Sequence, residues 1–314
     1  MKALNFKLIA VFAVFFGVVG TIANSTLLIS KGVEIELGIT SPLLIGTVIV
    51  SVLFVIYTLS AKLGLRRGVQ SLSIFNVLLA FSLLIWLLFI VPVAPIMKIA
   101  LDGTGYYLQL LATGTWQFDS QLNTSTWATH WTYNYYFWWL AWGPFVGVFL
   151  ANISQGRKVW QFILAVVGIP TCVTIIWFSV FSGAAIEWDK LNQAGILSAI
   201  KHDYTQGLFV FFSQLGWQGT ILIWSSLLLL LVFVATSADS AILVIRQLVQ
   251  NQFKNESTLY AWCLALFMCS FALLLQQDEP LNRSIAILGA LPFLAVFILQ
   301  LAGFLKEFVR DLCA

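Results

Sequence analysis

Windowed hydropathy and the polarity of the connections divide the chain into eight apolar stretches, at 6–30, 41–61, 70–93, 131–151, 158–182, 217–244, 257–276 and 283–305. Each is close to the twenty or so residues with which a helix crosses a hydrocarbon layer roughly 30 Å thick. The pattern predicts an all-α integral membrane protein with about eight transmembrane helices. Two connections are long and polar enough to fold outside the bilayer: 94–130, predicted to carry an interfacial helix over 96–113, and 183–216. The first apolar run follows Lys2 and Lys7, as in a signal peptide, but its late polar residues and lack of a small-residue cleavage pattern make it a span.

Composition sharpens this reading. Hydrophobic residues make up 60% of the 314 and charged ones only 9%, with mean hydropathy +0.94, against roughly 25% charged in soluble domains. The net charge of +3 is small and its Lys and Arg are dispersed, which excludes a basic nucleic-acid-binding patch. Cys172, Cys263, Cys269 and Cys313 form no CxxC pair, and His130 and His202 stand apart in polar loops. No metal cluster, nucleophile or acid–base pair emerges, so neither an enzyme nor a bound cofactor is expected. With the N-terminus cytoplasmic, eleven of the sixteen Lys and Arg fall inside and most acidic residues outside, and an even number of spans returns the C-terminus to the cytoplasm.

The fourth apolar stretch carries the most unusual chemistry, nine aromatic residues within 131–145. Tyr135, Trp139 and Trp142 recur at helical spacing, as do Trp138, Trp142 and Phe145, paving one broad face with rings. Two readings stand side by side. An interfacial aromatic belt accounts for Trp131 and Tyr133. A ligand box accounts for the deeper Trp138, Trp139 and Trp142, because a quaternary ammonium has no N–H to donate and is held best on aromatic faces, at about 2 kcal/mol each when desolvated. Gly143-Pro144 follows, and Pro144 removes the amide that would bond the Leu140 carbonyl, predicting a kinked or interrupted helix. Freed carbonyls at such breaks serve as ligands in many secondary transporters; an ordinary proline kink is the plain alternative.

Further along, Phe233-Val234-Ala235-Thr236-Ser237-Ala238-Asp239-Ser240 closes the sixth stretch. Its adjacent hydroxyls suit sodium, and equally suit bonding back to the carbonyl one turn earlier. Asp239 is expected at the helix end, near the interface, rather than as a buried proton carrier, although a carboxylate at membrane depth is a functional candidate by default. In the first stretch Thr21, Asn24, Ser25 and Thr26 form a polar patch that should face protein or a cavity rather than lipid.

The run Tyr135 to Phe149 (YYFWWLAWGPFVGVF), followed by Ile153-Ser154-Gln155-Gly156-Arg157, resembles the eighth-helix signature of the betaine/choline/carnitine transporter (BCCT) family. Pro170, Trp177 to Gly183 and Thr236 to Ser240 are similar to its ninth and tenth helices in order and spacing. The resemblance covers the whole chain. It implies a LeuT-like inverted-repeat fold of which this chain holds helices five to twelve: three helices of the first repeat plus an extracytoplasmic interfacial helix over 1–130, and the complete second repeat over 131–314. It further implies sodium-coupled symport of quaternary ammonium compatible solutes such as glycine betaine, choline or carnitine across a bacterial inner membrane. The expected partners are substrate, sodium, membrane lipid and further copies of the chain in a homotrimer. By the same resemblance Trp139 belongs to the substrate box, Trp138 and Trp142 to its pathway with Tyr135 on the same face, and Phe233, Thr236 and Ser237 to half of a sodium site. Phe145 belongs to a second sodium site, whose threonines are replaced here by Val14 and Val18. Sodium-independent carnitine exchangers carry an arginine on the first of these helices; no Arg or Lys lies between Lys7 and Lys31, which favours sodium coupling over that alternative. A truncated or split, non-transporting product is the other alternative.

Overall fold

The computed structural model describes residues 2–63, 65–113, 128–249 and 258–312, and among them there is no strand. The long helices are α1 (Lys2–Leu37), α2 (Pro42–Leu63), α3 (Leu65–Ile90), α4 (Val93–Thr113) and α5 (Asn134–Ile153), the last entered through a wide π turn, Ala128–Tyr133. They continue as α6 (Val159–Asn192), two short helices α7 (Ile196–His202) and α8 (Gly207–Ser213), then α9 (Trp217–Val249), α10 (Thr258–Leu275) and α11 (Glu279–Leu312).

All eight expected spans have helical counterparts. Five are long and apolar enough to cross a membrane unaided: Lys7–Leu37, Gln70–Ile90, Val159–Asn192, Trp217–Ile242 and Glu279–Glu307. A sixth is the pair Trp131–Pro144 and Val146–Ile153, bent by 52°, and Pro42–Ile56 and Cys263–Leu275 are shorter apolar helices. The bend falls where Gly143-Pro144 predicts it. Between the third and fourth spans, where the interfacial helix is expected, the chain forms the helix α4, packed along α6.

Helix ends differ from the hydropathy reading for a physical reason. Polarity marks where a chain leaves lipid, but the backbone bonding of a helix runs on until a residue breaks it. Thus α1 passes 30 and stops at Gly38, whose φ of +68° only glycine adopts without strain. Likewise α6 passes 182 and stops at Gln193, also in the left-handed region. The expected helix end at Asp239 is corrected in the same way: α9 continues to Val249, and Asp239 is buried inside it at 8% exposure.

At the centre stands α1, packed against α2, α5, α9, α10 and α11. Val14, Val18, Val19, Ile22 and Ala23 are all buried. Two glycines set its approach to the neighbours. A Cβ on Gly17 would stand 2.8 Å from the Cβ of Ala141 on α5, and one on Gly20 3.3 Å from that of Ala286 on α11. Lipid supplies no hydrophobic drive between helices, so close contact at small residues provides the packing energy. The hydroxyls of α1 bond back along the helix: Thr26 donates to the Ile22 carbonyl at 2.7 Å and Ser30 to that of Thr26 at 2.8 Å.

Candidate functional site

Where α1, α5 and α11 meet the turn Tyr204–Gln206, they form a half-open cavity of about 280 Å³ lined by Thr21, Asn24, Asn134, Tyr135, Trp138, Trp139, Trp142, Tyr204 and Arg283. Helical spacing explains the gathering of rings, because positions 135, 138, 139 and 142 fall on one side of α5. Trp139 and Trp142 lie with ring centroids 6.0 Å apart, and Tyr135 stacks on Trp131 at 6.1 Å. The indole N–H of Trp138 donates to the Thr21 hydroxyl at 3.0 Å, and that hydroxyl donates to the Gly17 carbonyl at 2.8 Å. This chain of two bonds ties the Trp138 ring, which lines the cavity, to α1. Trp139 is less enclosed, at 67% exposure.

At one end of the cavity a polar cluster crosses between elements far apart in sequence. The Arg283 guanidinium donates through Nη2 to the Tyr204 hydroxyl at 2.6 Å and pairs with Glu279 one turn away. Its carbon lies 5.3 Å from the Tyr204 ring centroid and 5.9 Å from that of Trp131, within cation–π range. Burial and the hydrogen bond to Glu279 push the Tyr204 phenol well above its usual range, while Arg283 opposes the shift, so the hydroxyl keeps its proton. Nearby, Lys31 at the end of α1 bonds Glu34 at 3.2 Å and approaches Asp203 at 3.8 Å. Asp189 caps α7 by accepting from the amides of Ile196 and Leu197.

The hydroxyls of α9 sit elsewhere. The Thr236 hydroxyl donates to the carbonyls of Val232 (3.0 Å) and Phe233 (3.1 Å), and Ser240 donates to that of Thr236. Phe233 is 48% exposed and lines a separate, apolar cavity with Val77, Phe81 and Trp177. Ser237 is half-buried. Phe145 lies at the bend of α5, and its side chain falls outside what the structure describes. Tyr135, Trp138, Trp139 and Trp142 therefore share one cavity, and Phe233, Thr236 and Ser237 are not among its walls. Asn134, Tyr204 and Arg283 escaped the sequence reading. No local pattern points to Tyr204 or Arg283, which meet across 79 positions of the chain.

A model of the "BCCT, betaine/carnitine/choline family transporter" matches residues 5–312. The glycine betaine transporter OpuD of Bacillus subtilis is 30% identical over 308 residues, covering 96% of this chain and 59% of its own length. A glycine betaine transporter of Acinetobacter baylyi is 31% identical over 301 residues, 94% of this chain and 45% of its own. A glycine betaine/proline/choline/ectoine transporter of Vibrio parahaemolyticus is 31% identical over 315 residues, 98% and 55% respectively. The chain spans about half the length of these curated relatives. The family and these relatives are transporters, not enzymes. On the span of that match, this multi-pass, all-helical membrane protein belongs to the betaine/carnitine/choline transporter family.

Proposed function

We propose that the chain forms the substrate-binding part of a secondary transporter for quaternary ammonium compatible solutes, glycine betaine first among them, driven by sodium. The observation that carries this reading is the cavity in which Tyr135, Trp138, Trp139 and Trp142 stand together. A trimethylammonium group spreads its charge over methyls that cannot hydrogen-bond, so indole faces compete with water where carboxylates would not select it. The pinned Trp138 keeps one such face in place before the ligand arrives, which lowers the ordering cost of binding.

For sodium, Phe233, Thr236 and Ser237 remain the proposed ligands. Back-bonding of Thr236 does not exclude this, because a hydroxyl has one proton to donate and two lone pairs to offer. Their position outside the cavity makes the ion an indirect partner that acts on helix arrangement rather than on the solute. In the proposed topology, α1 to α3 close a first repeat and α5, α6, α9, α10 and α11 form the second, in a bacterial inner membrane with both termini cytoplasmic. Homotrimers and bound lipid complete the proposed partners.

Labelled glycine betaine uptake by cells expressing the protein, in sodium and in potassium media, tests the reading. Sodium-dependent accumulation that Trp139→Leu lowers at least tenfold is expected. Accumulation unchanged by Trp139→Leu would remove the ring box as its basis.

A further inference from the structure

The aromatic cavity has two chemically different ends. Trp138, Trp139 and Trp142 supply ring faces toward the bend of α5, whereas the opposite end holds Asn134, Tyr204 and Arg283. Among the described residues Arg283 is the only charged one in the walls. Its guanidinium carries five N–H donors in a planar fork. The bonds to Tyr204 and Glu279 both leave from Nη2, so neither uses the hydrogens of Nε and Nη1. Trp131 and Tyr204, whose rings pack edge to face 5.5 Å apart, stand together beside the guanidinium at 5.9 and 5.3 Å. Tyr135, stacked on Trp131, and Asn134 line the stretch between the fork and the indoles.

A fixed cation in a cavity that takes a cation needs a reason. Two like charges in a partly desolvated space repel, and Glu279 offsets this only in part because its carboxylate is shared with the Tyr204 hydroxyl. A solute carrying its own carboxylate removes the conflict: its ammonium lies on the indoles and its carboxylate meets the guanidinium. Building on the reading that the rings hold a quaternary ammonium, we propose that Arg283 is the carboxylate subsite of this cavity. The site then takes zwitterions and disfavours a trimethylammonium ion lacking the carboxylate. Glu279 is the resident counter-anion that the incoming carboxylate competes with, and Tyr204 is the positioning residue that holds the fork.

The experiment is intrinsic tryptophan fluorescence of the purified 314-residue chain in detergent micelles, titrated with glycine betaine and with choline. Wild type is expected to prefer glycine betaine about tenfold, the scale of one charge-assisted hydrogen bond. Arg283→Gln is expected to weaken glycine betaine about tenfold and to leave choline unchanged or tighter. Glu279→Gln should act oppositely, tightening glycine betaine a few-fold and weakening choline. This second variant keeps the test decisive if Arg283→Gln does not fold. A betaine-to-choline ratio unmoved by both variants, or a preference for choline in wild type, overturns the subsite. Trp139→Leu separates the two ideas: if it weakens both solutes while the ratio ignores position 283, the ring box stands and the subsite falls. If Trp139→Leu leaves both solutes unaffected, or wild type binds neither, the ring box falls and takes the subsite with it.

Discussion

Thr21 on α1 and Thr236 on α9 do the same local thing and differ in everything around it. Each hydroxyl donates to a carbonyl one turn earlier, Gly17 and Val232 respectively, which is how a hydroxyl survives in a lipid-embedded helix. Thr21 then accepts the indole N–H of Trp138 from another helix. Thr236 donates within its own helix, to Phe233 as well. The two helices pack directly on each other. A back-bonded hydroxyl is a spent donor with unspent lone pairs, and its role is set by what the neighbouring helix aims at those lone pairs: an indole N–H at Thr21, and in the proposed function a sodium ion at Thr236.

The strongest way to break the comparison is to separate α1 from α5. Gly17→Leu places a side chain where even a Cβ would stand 2.8 Å from that of Ala141. The Ala141 Cβ has no rotamer that could yield, so the helices must part. A loss of about 3 kcal/mol is expected, at the upper end of overpacking costs, read as a fall in the thermal unfolding midpoint of the detergent-solubilised protein. Solute-induced fluorescence change should vanish with it. Gly103→Leu, with open space at its Cβ, is the control and should leave the midpoint in place.

Next in size is the ring itself. Trp138→Leu removes a face worth about 2 kcal/mol to a quaternary ammonium, so glycine betaine affinity should fall roughly 30-fold. Trp138→Phe keeps a face and deletes only the N–H to Thr21, and a fall of about 5-fold is expected from one net hydrogen bond. Equal losses in the two variants would show that the bond to Thr21, rather than the ring face, carries the effect.

These residues also mark how far the sequence could be read. The number and order of the spans were legible because lipid demands about twenty apolar residues per crossing, a demand visible in the pattern of 6–30 as in that of 217–244. The rings of α5 were legible because helical spacing puts 135, 138, 139 and 142 together whatever surrounds them. Polar placement was less so. Thr21 and Asn24 could be assigned to a protein-facing patch, but not to Trp138, since the partner lies 117 residues away. Arg283 opens an apolar stretch, where a basic residue ordinarily marks the membrane edge, and only the packing of α11 on α1 and α5 turns it toward the cavity. Asp239 was misplaced because its charge imitates a helix end; in fact α9 carries it ten residues further, to Val249, with the carboxylate buried.

On the α9 side, the double variant Thr236→Val, Ser237→Ala sharpens the comparison. If these lone pairs hold sodium, half-saturating sodium for glycine betaine uptake should rise about tenfold, the equivalent of roughly 1.4 kcal/mol. The unfolding midpoint in the absence of sodium should barely move, because a back-bonded hydroxyl contributes little to its helix. A lowered midpoint with unchanged sodium dependence would make these residues purely structural.

The smallest effect belongs to the end of α1 beyond the hydroxyl patch, where Lys31 reaches Asp203. Burial alone would raise the Asp203 carboxyl, but it accepts from the Thr205 hydroxyl, the Thr205 amide and the Gln206 side chain and faces Lys31, and together these hold it below its ordinary value of 3.8. A carboxyl depressed on folding stabilises the fold fully above its unfolded value, and that stabilisation is lost as pH falls through the folded one. Asp203→Asn should therefore cost about 1 kcal/mol near neutral pH, the scale of a lost cap on the turn Tyr204–Gln206. The cost should shrink once pH drops below 3.8, where the wild-type carboxyl also gains its proton. Unfolding midpoints of the two proteins that converge toward acid support this tether. A gap that stays constant through that range would mean that shape rather than charge holds this end of α1, and the contrast with the hydroxyls deeper in the same helix, which do not titrate, would disappear.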